Sequence, residues 1–264
     1  GILSQHDYPA QVEALVAEMA LLTALIGQTI KLRWKLQLQV QSKGPVRMIA
    51  TDYYGPEKDG EPARIRAYAS FDRDRLTDGA PMDQVGEGYF AIMLDQGQGT
   101  QPYQGITPLT GGSLMSCAEA YFAQSEQLPT LIRVATRSGD QGCVAGGFLV
   151  QHLPEGEEGR ERLHVRLDHP EWEHVAILAG SLRHDELLDD ELSLEAIAWR
   201  LFHEETEVRV QPGAAIARGC RCSVEHYRSV LERFPEDQRV EMRDPDGIVR
   251  VDCAFCSKQF EITV

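Results

Sequence analysis

Two pairs of cysteines near the C-terminus constrain this chain more than any other feature. Cys220-Arg221-Cys222 is followed, after 30 residues, by Cys253-Ala254-Phe255-Cys256. Four thiolates can complete the tetrahedral shell of a zinc ion. The segment that contains the two cysteine pairs is too small to hold a core unaided, so a metal would supply much of its folding free energy. The pattern predicts one zinc ion per chain in the reduced state, held by Cys220, Cys222, Cys253 and Cys256.

The residues between the two pairs predict a short helix, over residues 223–233, and then a hairpin. Asp244-Pro245-Asp246-Gly247 would form the turn of that hairpin. Its two arms would carry Val240, Met242, Val249 and Val251. A hairpin of this size returns the second cysteine pair to the first. His226 is an alternative ligand, although a solvated position on the helix is the preferred interpretation.

The four cysteines also support redox chemistry. A thiolate is both the metal ligand and the nucleophile toward oxidants, and a sulfenic acid on one sulfur of a pair can be captured by the other. Disulfides would leave zinc without ligands, so the pattern predicts that oxidation causes local unfolding. The two other cysteines, Cys117 in a predicted helix and Cys143 beside a Gly-rich turn, are interpreted as buried, unreactive thiols.

The first part of the chain predicts an α+β fold. Helical apolar spacing covers residues 9–27, and strict alternation covers residues 31–41, as in a half-buried strand. The alternation places five residues on one face: Leu32, Trp34, Leu36, Leu38 and Val40. Further strands are predicted over residues 46–54, 63–70, 89–95, 103–108, 131–138 and 147–153, and a helix over 113–127 with Ser113 as its N-cap. Grouped strands with few helices favour a sheet-and-helix domain over residues 1–166.

An acidic stretch separates this domain from the cysteines. Residues 152–217 contain 16 acidic and 6 basic residues, a net charge of −10 out of −15 for the whole chain. Residues 172–182 and 194–202 have helical apolar spacing but too little core of their own, so they must lie on a neighbouring surface. That surface would bury Trp172, Leu178, Trp199 and Phe202. We expect a helical linker over residues 167–218 and a zinc-binding module over 219–264; the alternative is that these helices simply complete the main domain.

The net charge and the missing motifs argue against several classes of function. A net charge of −15 argues against nucleic-acid binding by the whole chain, and no unbroken apolar run reaches the length of a membrane helix. The first residues do not resemble a signal peptide, so we expect a cytoplasmic protein. We find no phosphate-binding loop, His-Glu-x-x-His motif or nucleophile elbow, and we therefore predict no enzymatic activity and no catalytic residues.

Beyond the cysteines, several segments occur in the order typical of one family. They are His6-Asp7-Tyr8-Pro9, Gly44-Pro45-Val46-Arg47, Leu109-Thr110-Gly111-Gly112-Ser113, the run from Tyr121 to Thr130, Gly146-Gly147-Phe148-Leu149-Val150-Gln151 and Leu201-Phe202-His203-Glu204-Glu205. With these segments the chain resembles the heat shock protein 33 family of redox-regulated bacterial chaperones over nearly its whole length. Family members usually begin with about thirty further residues that include a strand, so an unpaired sheet edge is expected here.

The resemblance implies a function. Members are inactive when reduced and zinc-bound; oxidation forms disulfides within each cysteine pair, releases zinc and unfolds the linker. The disulfides would be Cys220–Cys222 and Cys253–Cys256. The exposed surface would hold unfolded or aggregation-prone proteins without ATP, and the oxidised form could be a homodimer. The alternative is a zinc-ribbon adaptor that binds nucleic acid through the arginines around the cysteines, against which stand the interleaved acidic residues.

Overall fold

The computed structural model describes residues 1–30, 32, 34–97, 99–139, 142–153 and 169–263. The strands are β1 (Lys35–Ser42), β2 (Val46–Tyr54), β3 (Ala63–Phe71), β4 (Gly88–Asp95), β5 (Tyr103–Pro108), β6 (Thr130–Gly139), β7 (Gly142–Gln151), β8 (Ile216–Arg218), β9 (Val249–Asp252) and β10 (Gln259–Ile262). The helices are α1 (Ala10–Thr29), α2 (Leu114–Tyr121), α3 (Pro170–Gly180), α4 (His184–Leu187), α5 (Leu194–Phe202), α6 (Val224–Leu231) and α7 (Glu236–Glu241). The fold is therefore mixed α/β, as the grouped strands predicted.

A six-stranded sheet forms the main body, with strand order β5-β4-β1-β2-β3-β8. Its first five strands pair antiparallel, while β8 joins the edge parallel to β3. Alternate residues of β3, from Ala63 to Ala69, are buried beneath α1. Because side chains alternate across a strand, Arg64, Arg66 and Tyr68 lie on the opposite face of the sheet. That polar face is where the C-terminal segment packs.

Helix α1 lies in the main core, between the sheet and an antiparallel ribbon made of β6 and β7. Among the described residues it is the one helix with the length and apolar content of a membrane span, but nine of its residues are buried in the protein. Core helices of soluble proteins have the same composition. The largest fully buried side chains of this core include Leu15, Met19, Leu22, Ile26, Leu36, Leu38, Ile49 and Phe90.

The helices α3, α4 and α5 cover the outer side of the β6–β7 ribbon. Leu182, Leu187, Ile197 and Leu201 are buried there together with Ala135 of β6. Gly146 of β7 allows the close approach, since a Cβ at this position would overlap the backbone of Leu187. The helices therefore lie on a neighbouring surface, as their apolar faces predicted, and that surface is the ribbon.

Several sequence-based expectations were wrong. Trp34 precedes β1 and is 44% exposed, and Trp199 is 68% exposed because it lies on the far side of α5 from Ile197 and Leu201. Cys117 is buried as expected, but Cys143 is only half-buried because it lies beside the Gly139–Gly142 pair at one end of the ribbon. Trp172, Leu178 and Phe202 are half-buried.

The hairpin before the second cysteine pair was also wrongly predicted. The turn at residues 244–247 is present, with the Gly247 amide donating to the Asp244 carbonyl. The arm predicted to lead into it is instead α7, which starts after Pro235 with Glu236 and Asp237 in its first turn. Acidic residues at a helix N-terminus are stabilising, and they outweigh the two-residue spacing of Val240 and Met242. The expected domain boundary at residues 166–167 lies outside the described residues.

Candidate metal centre

Strand β8 brings the first cysteine pair to the sheet. Ile216, Ala217 and Arg218 pair with Ala63, Arg64 and Ile65, and the Gly219 amide donates to the Ile65 carbonyl at 3.0 Å. A Cβ on Gly219 would come within 2.8 Å of the Arg64 side chain, so glycine permits this close approach. Because Cys220 follows at once, it lies beside Arg66, the next residue of β3. Ser223 then caps α6 through a hydrogen bond from the His226 amide.

The second cysteine pair forms the turn between β9 and β10. The Cys253 amide donates to the Lys258 carbonyl at 2.9 Å, and the Cys253 carbonyl accepts hydrogen bonds from the amides of Cys256 and Ser257. The hairpin that carries this pair is therefore β9–β10, one strand later than predicted. Cys253 is 3% exposed and belongs to a small core with Leu231, Val249, Phe260 and Ile262.

All four predicted sulfurs meet in one cluster. The Cys220 and Cys253 Sγ atoms are 3.6 Å apart, those of Cys222 and Cys256 are 3.4 Å apart, and all four lie within 4.8 Å of one another. A Zn–S bond of about 2.3 Å in tetrahedral geometry places sulfurs about 3.8 Å apart. The donor set and spacing therefore fit a tetrathiolate zinc site. His226 is exposed on α6 and is not among the grouped ligand atoms.

The cysteine thiols of the cluster differ in pKa. Burial would raise the pKa of Cys253, but hydrogen bonds from the Tyr227 hydroxyl, the amides of Cys256 and Phe255 and the Cys220 thiol lower it to about 6. Burial, together with hydrogen bonds among the cysteines, raises the pKa of Cys222, and burial raises that of Cys256. The pKa of Cys253 is thus lowered while those of Cys222 and Cys256 are raised, so Cys253 is the most acidic of these three thiols in the absence of a metal.

Arg66 of β3 connects the cluster to the sheet. Its Nη1 donates to Cys220 Sγ at 3.4 Å, and its Nε donates to Asp52 Oδ2 at 2.7 Å. Asp52, opposite Arg66 on β2, is 1% exposed. Burial alone would lower the pKa of Arg66, but the Asp52 carboxylate raises it, so the guanidinium keeps its charge.

A second arginine belongs to the module and contacts residues of the main domain. Arg221, between the first two cysteines, lies 4.5 Å above the ring of Trp34 and 4.4 Å from that of Tyr54, and its Nη2 pairs with Glu57 at 2.7 Å. This stacking explains why Trp34 faces outward. Trp34, Arg66, Arg221, Cys222 and Phe255 line a cleft of about 640 Å³ between sheet and module.

The N-terminal residues close the other side of the module. The Ser257 hydroxyl donates to the Gln5 carbonyl at 2.9 Å, and His6 Nε2 lies 3.2 Å from the Phe255 carbonyl oxygen. Sequence reasoning identified the four cysteines but missed Arg66, Asp52, Tyr227 and the N-terminal contacts. The alternation of β3 shows which residues share a face with Arg66, yet no pattern indicates that this face meets a segment 154 residues away.

The chain is similar to known proteins over almost its whole length. The family model described as Hsp33 protein matches residues 1–263. A 33 kDa chaperonin of Caulobacter vibrioides is 36% identical over 99% of this chain and 86% of its own length. A 33 kDa chaperonin of Cronobacter sakazakii is 31% identical over 98% of this chain and 82% of its own. The crystal structure of the 33 kDa chaperonin of Thermotoga maritima superposes with a TM-score of 0.78 at 20% identity, covering 99% of this chain and 86% of that one.

Proposed function

The chain belongs to the Hsp33 protein family, and from this premise we propose that it is an ATP-independent holdase chaperone that its cysteine cluster switches on by oxidation. Its curated relatives are named chaperonins, which supports a chaperone function. The observation that carries the redox part of the proposal is the convergence of four sulfurs from two distant segments into one cluster.

In the reduced state, Cys220, Cys222, Cys253 and Cys256 would hold one zinc ion. The metal would supply a cross-link between the α6 side of the module and the β9–β10 hairpin. Within the described part of the module, residues 219–263, the core that it supports has five buried residues, and Cys253 is one of them. So small a core cannot balance the conformational entropy of the module's 46 residues, 219–264, without added cross-links. We therefore propose that the reduced, metal-bound module is folded and the protein inactive.

Oxidation would dismantle this arrangement. The two thiolates of a pair would lose two electrons to one molecule of hydrogen peroxide, which takes up two protons from the solvent and is reduced to two molecules of water. Repeating the step forms Cys220–Cys222 and Cys253–Cys256 and removes all four ligands. The cleft beside Cys222 gives a small oxidant a route to the sulfurs. The module would then lose its metal and its fold.

Unfolding of the module would spread through β8 to the acidic helices. β8 holds the end of the linker to the sheet by three residues and directly precedes the cysteines. The faces of α4 and α5 that pack on the ribbon, including Leu187 and Ile197, would become available to non-native chains. Leu194 and Trp199 are already exposed and would extend that surface. The net charge of −10 over residues 152–217 would keep the complexes soluble.

Three further assignments belong to the same proposal. The chain would divide into a core domain over residues 1–166, a linker over 167–218 and a redox module over 219–264. The protein would work in the cytoplasm, and its oxidised form would associate as a homodimer. Nucleic-acid binding is the less favoured function, because Arg221 and Arg250 of the module pair with Glu57 and Glu261.

Light scattering of a heat-unfolding client enzyme tests the proposal. Protein oxidised by peroxide should suppress the scattering without ATP, and dithiothreitol with zinc should reverse the effect. A Cys117→Ser, Cys143→Ser double variant should respond like the parent, because neither residue lies in the cluster. Unchanged client scattering with the oxidised parent would leave the cluster as a structural zinc site only.

A further inference from the structure

The guanidinium of Arg66 contacts both the sheet and the cysteine module. Two of its nitrogens bind Asp52 of the sheet, while the third nitrogen and the flat face contact Cys220 and Phe255 of the module. Nε and Nη2 lie 2.7 Å and 2.6 Å from Asp52 Oδ2. Nη1 is directed away from the carboxylate and donates to Cys220 Sγ at 3.4 Å. The guanidinium carbon lies 4.0 Å from the centre of the Phe255 ring, within the range of a cation–π contact.

The contact of Arg66 with Asp52 lies within the sheet, whereas its contacts with Cys220 and Phe255 depend on the position of the module. Asp52 is buried in β2 directly opposite Arg66, and Tyr54 also donates a hydrogen bond to it. Cys220 and Phe255 come from the two segments that the cluster joins. Arg66 therefore contacts both halves of the module while it remains anchored to the sheet.

The contact with Cys220 has a defined chemical effect. A ligand thiolate is already deprotonated, so a nearby cation cannot raise the thiolate fraction any further. An N–H donor instead withdraws electron density from the sulfur and so lowers its reactivity toward oxidants. In a disulfide the sulfur is neutral and a poor acceptor. The bond to Arg66 is consequently favourable in the reduced cluster and weak in the oxidised one.

We propose that Arg66 is a positioning residue of the redox switch, which holds Cys220 and Phe255 against the sheet and slows oxidation of the reduced cluster. The inference rests on the proposed function of the cluster. Loss of the Cys220 contact on oxidation frees the module, while Asp52 keeps Arg66 in place for the module's return.

The test compares Arg66→Lys with the parent. Lysine retains a charge for Asp52, but a single ammonium group cannot serve Asp52, Cys220 and the Phe255 ring in the geometry of a guanidinium. Changes in partners just outside a metal's ligands typically alter metal affinity about 10- to 100-fold. We expect peroxide to release zinc from the variant about tenfold faster, as followed with a colorimetric chelator. Arg47→Gln is the matched control, because Arg47 of β2 pairs with Asp72 and should leave the rate unchanged.

The absorption spectrum of cobalt-loaded protein reports on the ligand sulfurs themselves, and a loss of stability alone does not shift it. The sulfur-to-cobalt charge-transfer bands should shift in Arg66→Lys, because the Cys220 thiolate loses its hydrogen bond. Phe255→Leu removes the ring without touching Asp52, and it should accelerate zinc release even if Arg66→Lys folds poorly. Parent-like release rates in the folded variants, a slower rate, or an unshifted cobalt spectrum in Arg66→Lys would overturn the assignment. If peroxide leaves zinc bound in the parent, the proposed switch fails, while the cobalt spectrum still decides the role of Arg66.

Discussion

Cys253 differs from the other three cysteines of the cluster at the scale of single residues. It is almost fully buried, and its hydrogen bonds lower its thiol pKa to about 6, whereas the pKa values of Cys222 and Cys256 are raised. A metal that enters the cluster would meet a preformed thiolate at this position. Cys253 is therefore the cysteine whose removal should affect metal binding most directly.

Cys253→Ser should lower zinc affinity by more than about 100-fold, because even partners outside the ligand shell typically account for about 10- to 100-fold. Elemental analysis with competition by a chelator measures the change. Cys143→Ser is the control, since Cys143 lies on the ribbon and outside the cluster. A Cys253→Ser protein that retained one tightly bound zinc would contradict the proposed ligand set.

Glu18 gives a prediction about pH. Burial beneath α2 raises its pKa from 4.5, although hydrogen bonds from the Met115 and Leu114 amides oppose the shift. With the folded-state pKa above the unfolded value, this side chain costs no stability in acid, and its cost develops as the pH rises through the folded-state pKa. Glu18→Gln cannot ionise and keeps an acceptor for Met115.

The stability of Glu18→Gln relative to the parent should therefore increase from pH 4 to pH 7. Urea unfolding at several pH values, followed by circular dichroism, checks the direction. A gap that narrows toward neutral pH would show that the negative charge of Glu18 at the N-terminus of α2 stabilises the fold more than its burial costs.

At the scale of elements, α5 shows how position on a helix decides the importance of an apolar residue. Leu201 is buried against the ribbon, whereas the larger Trp199 is mostly exposed. Leu201→Ala should cost about 2–5 kcal/mol in the local stability of α3–α5, as is usual for a buried leucine. Trp199→Ala should change it by less than about 0.5 kcal/mol.

Amide exchange of α3–α5 measures both effects, with the exchange of β1–β4 as an internal reference. An equal loss of protection in the two variants would show that Trp199 also packs within the protein. That result would contradict the packing of α3–α5 on the β6–β7 ribbon.

Periodicity predicted most elements because local patterns and burial agree there. β2, β5 and α5 have the predicted bounds, and Ser113 caps α2 as expected. β8 was missed because three residues are too few to show a pattern, and its place depends on the edge of β3. The predicted arm at Val240 failed because a spacing of two residues also fits one exposed turn of a helix.

The cysteine cluster was accessible from sequence because metal ligands have a recognisable type and spacing. Its surroundings were not, because Arg66 and Asp52 are typical residues of a polar sheet face and become special only when the module packs on them. Contacts of this kind depend on how two surfaces meet, which periodicity within each segment does not encode.

On the scale of the whole molecule, three cores of unequal size share one chain. Among the residues that the structure describes, the main core contains 24 buried residues, whereas the ribbon–helix core and the cysteine core contain five each. Free energy gained from burial grows with buried apolar area. The two small cores should therefore unfold under conditions in which the main sheet stays intact.

Peroxide oxidation should raise amide exchange in residues 219–263 and 169–218 well before exchange in β1–β4. The reason is that the first region would lose its metal and the second its hold on the sheet through β8. Mass spectrometry of exchanged peptides follows all three regions at once. Uniform exchange across the linker helices and the sheet would show that α3–α5 are an ordinary part of the main domain.

The parallel pairing of β8 with β3 also has a mechanical consequence. If the C-terminus is pulled away from the main body, the contacts of the module with Arg66, Glu57 and Gln5 break first, and the load then passes along the backbone through Gly219 to β8. Three pairs of residues then bear the tension before any strand of the antiparallel sheet does. In an optical trap we expect the extension to occur in steps, with β8 and the helices behind it yielding at low force and the five-stranded remainder holding to a much higher one.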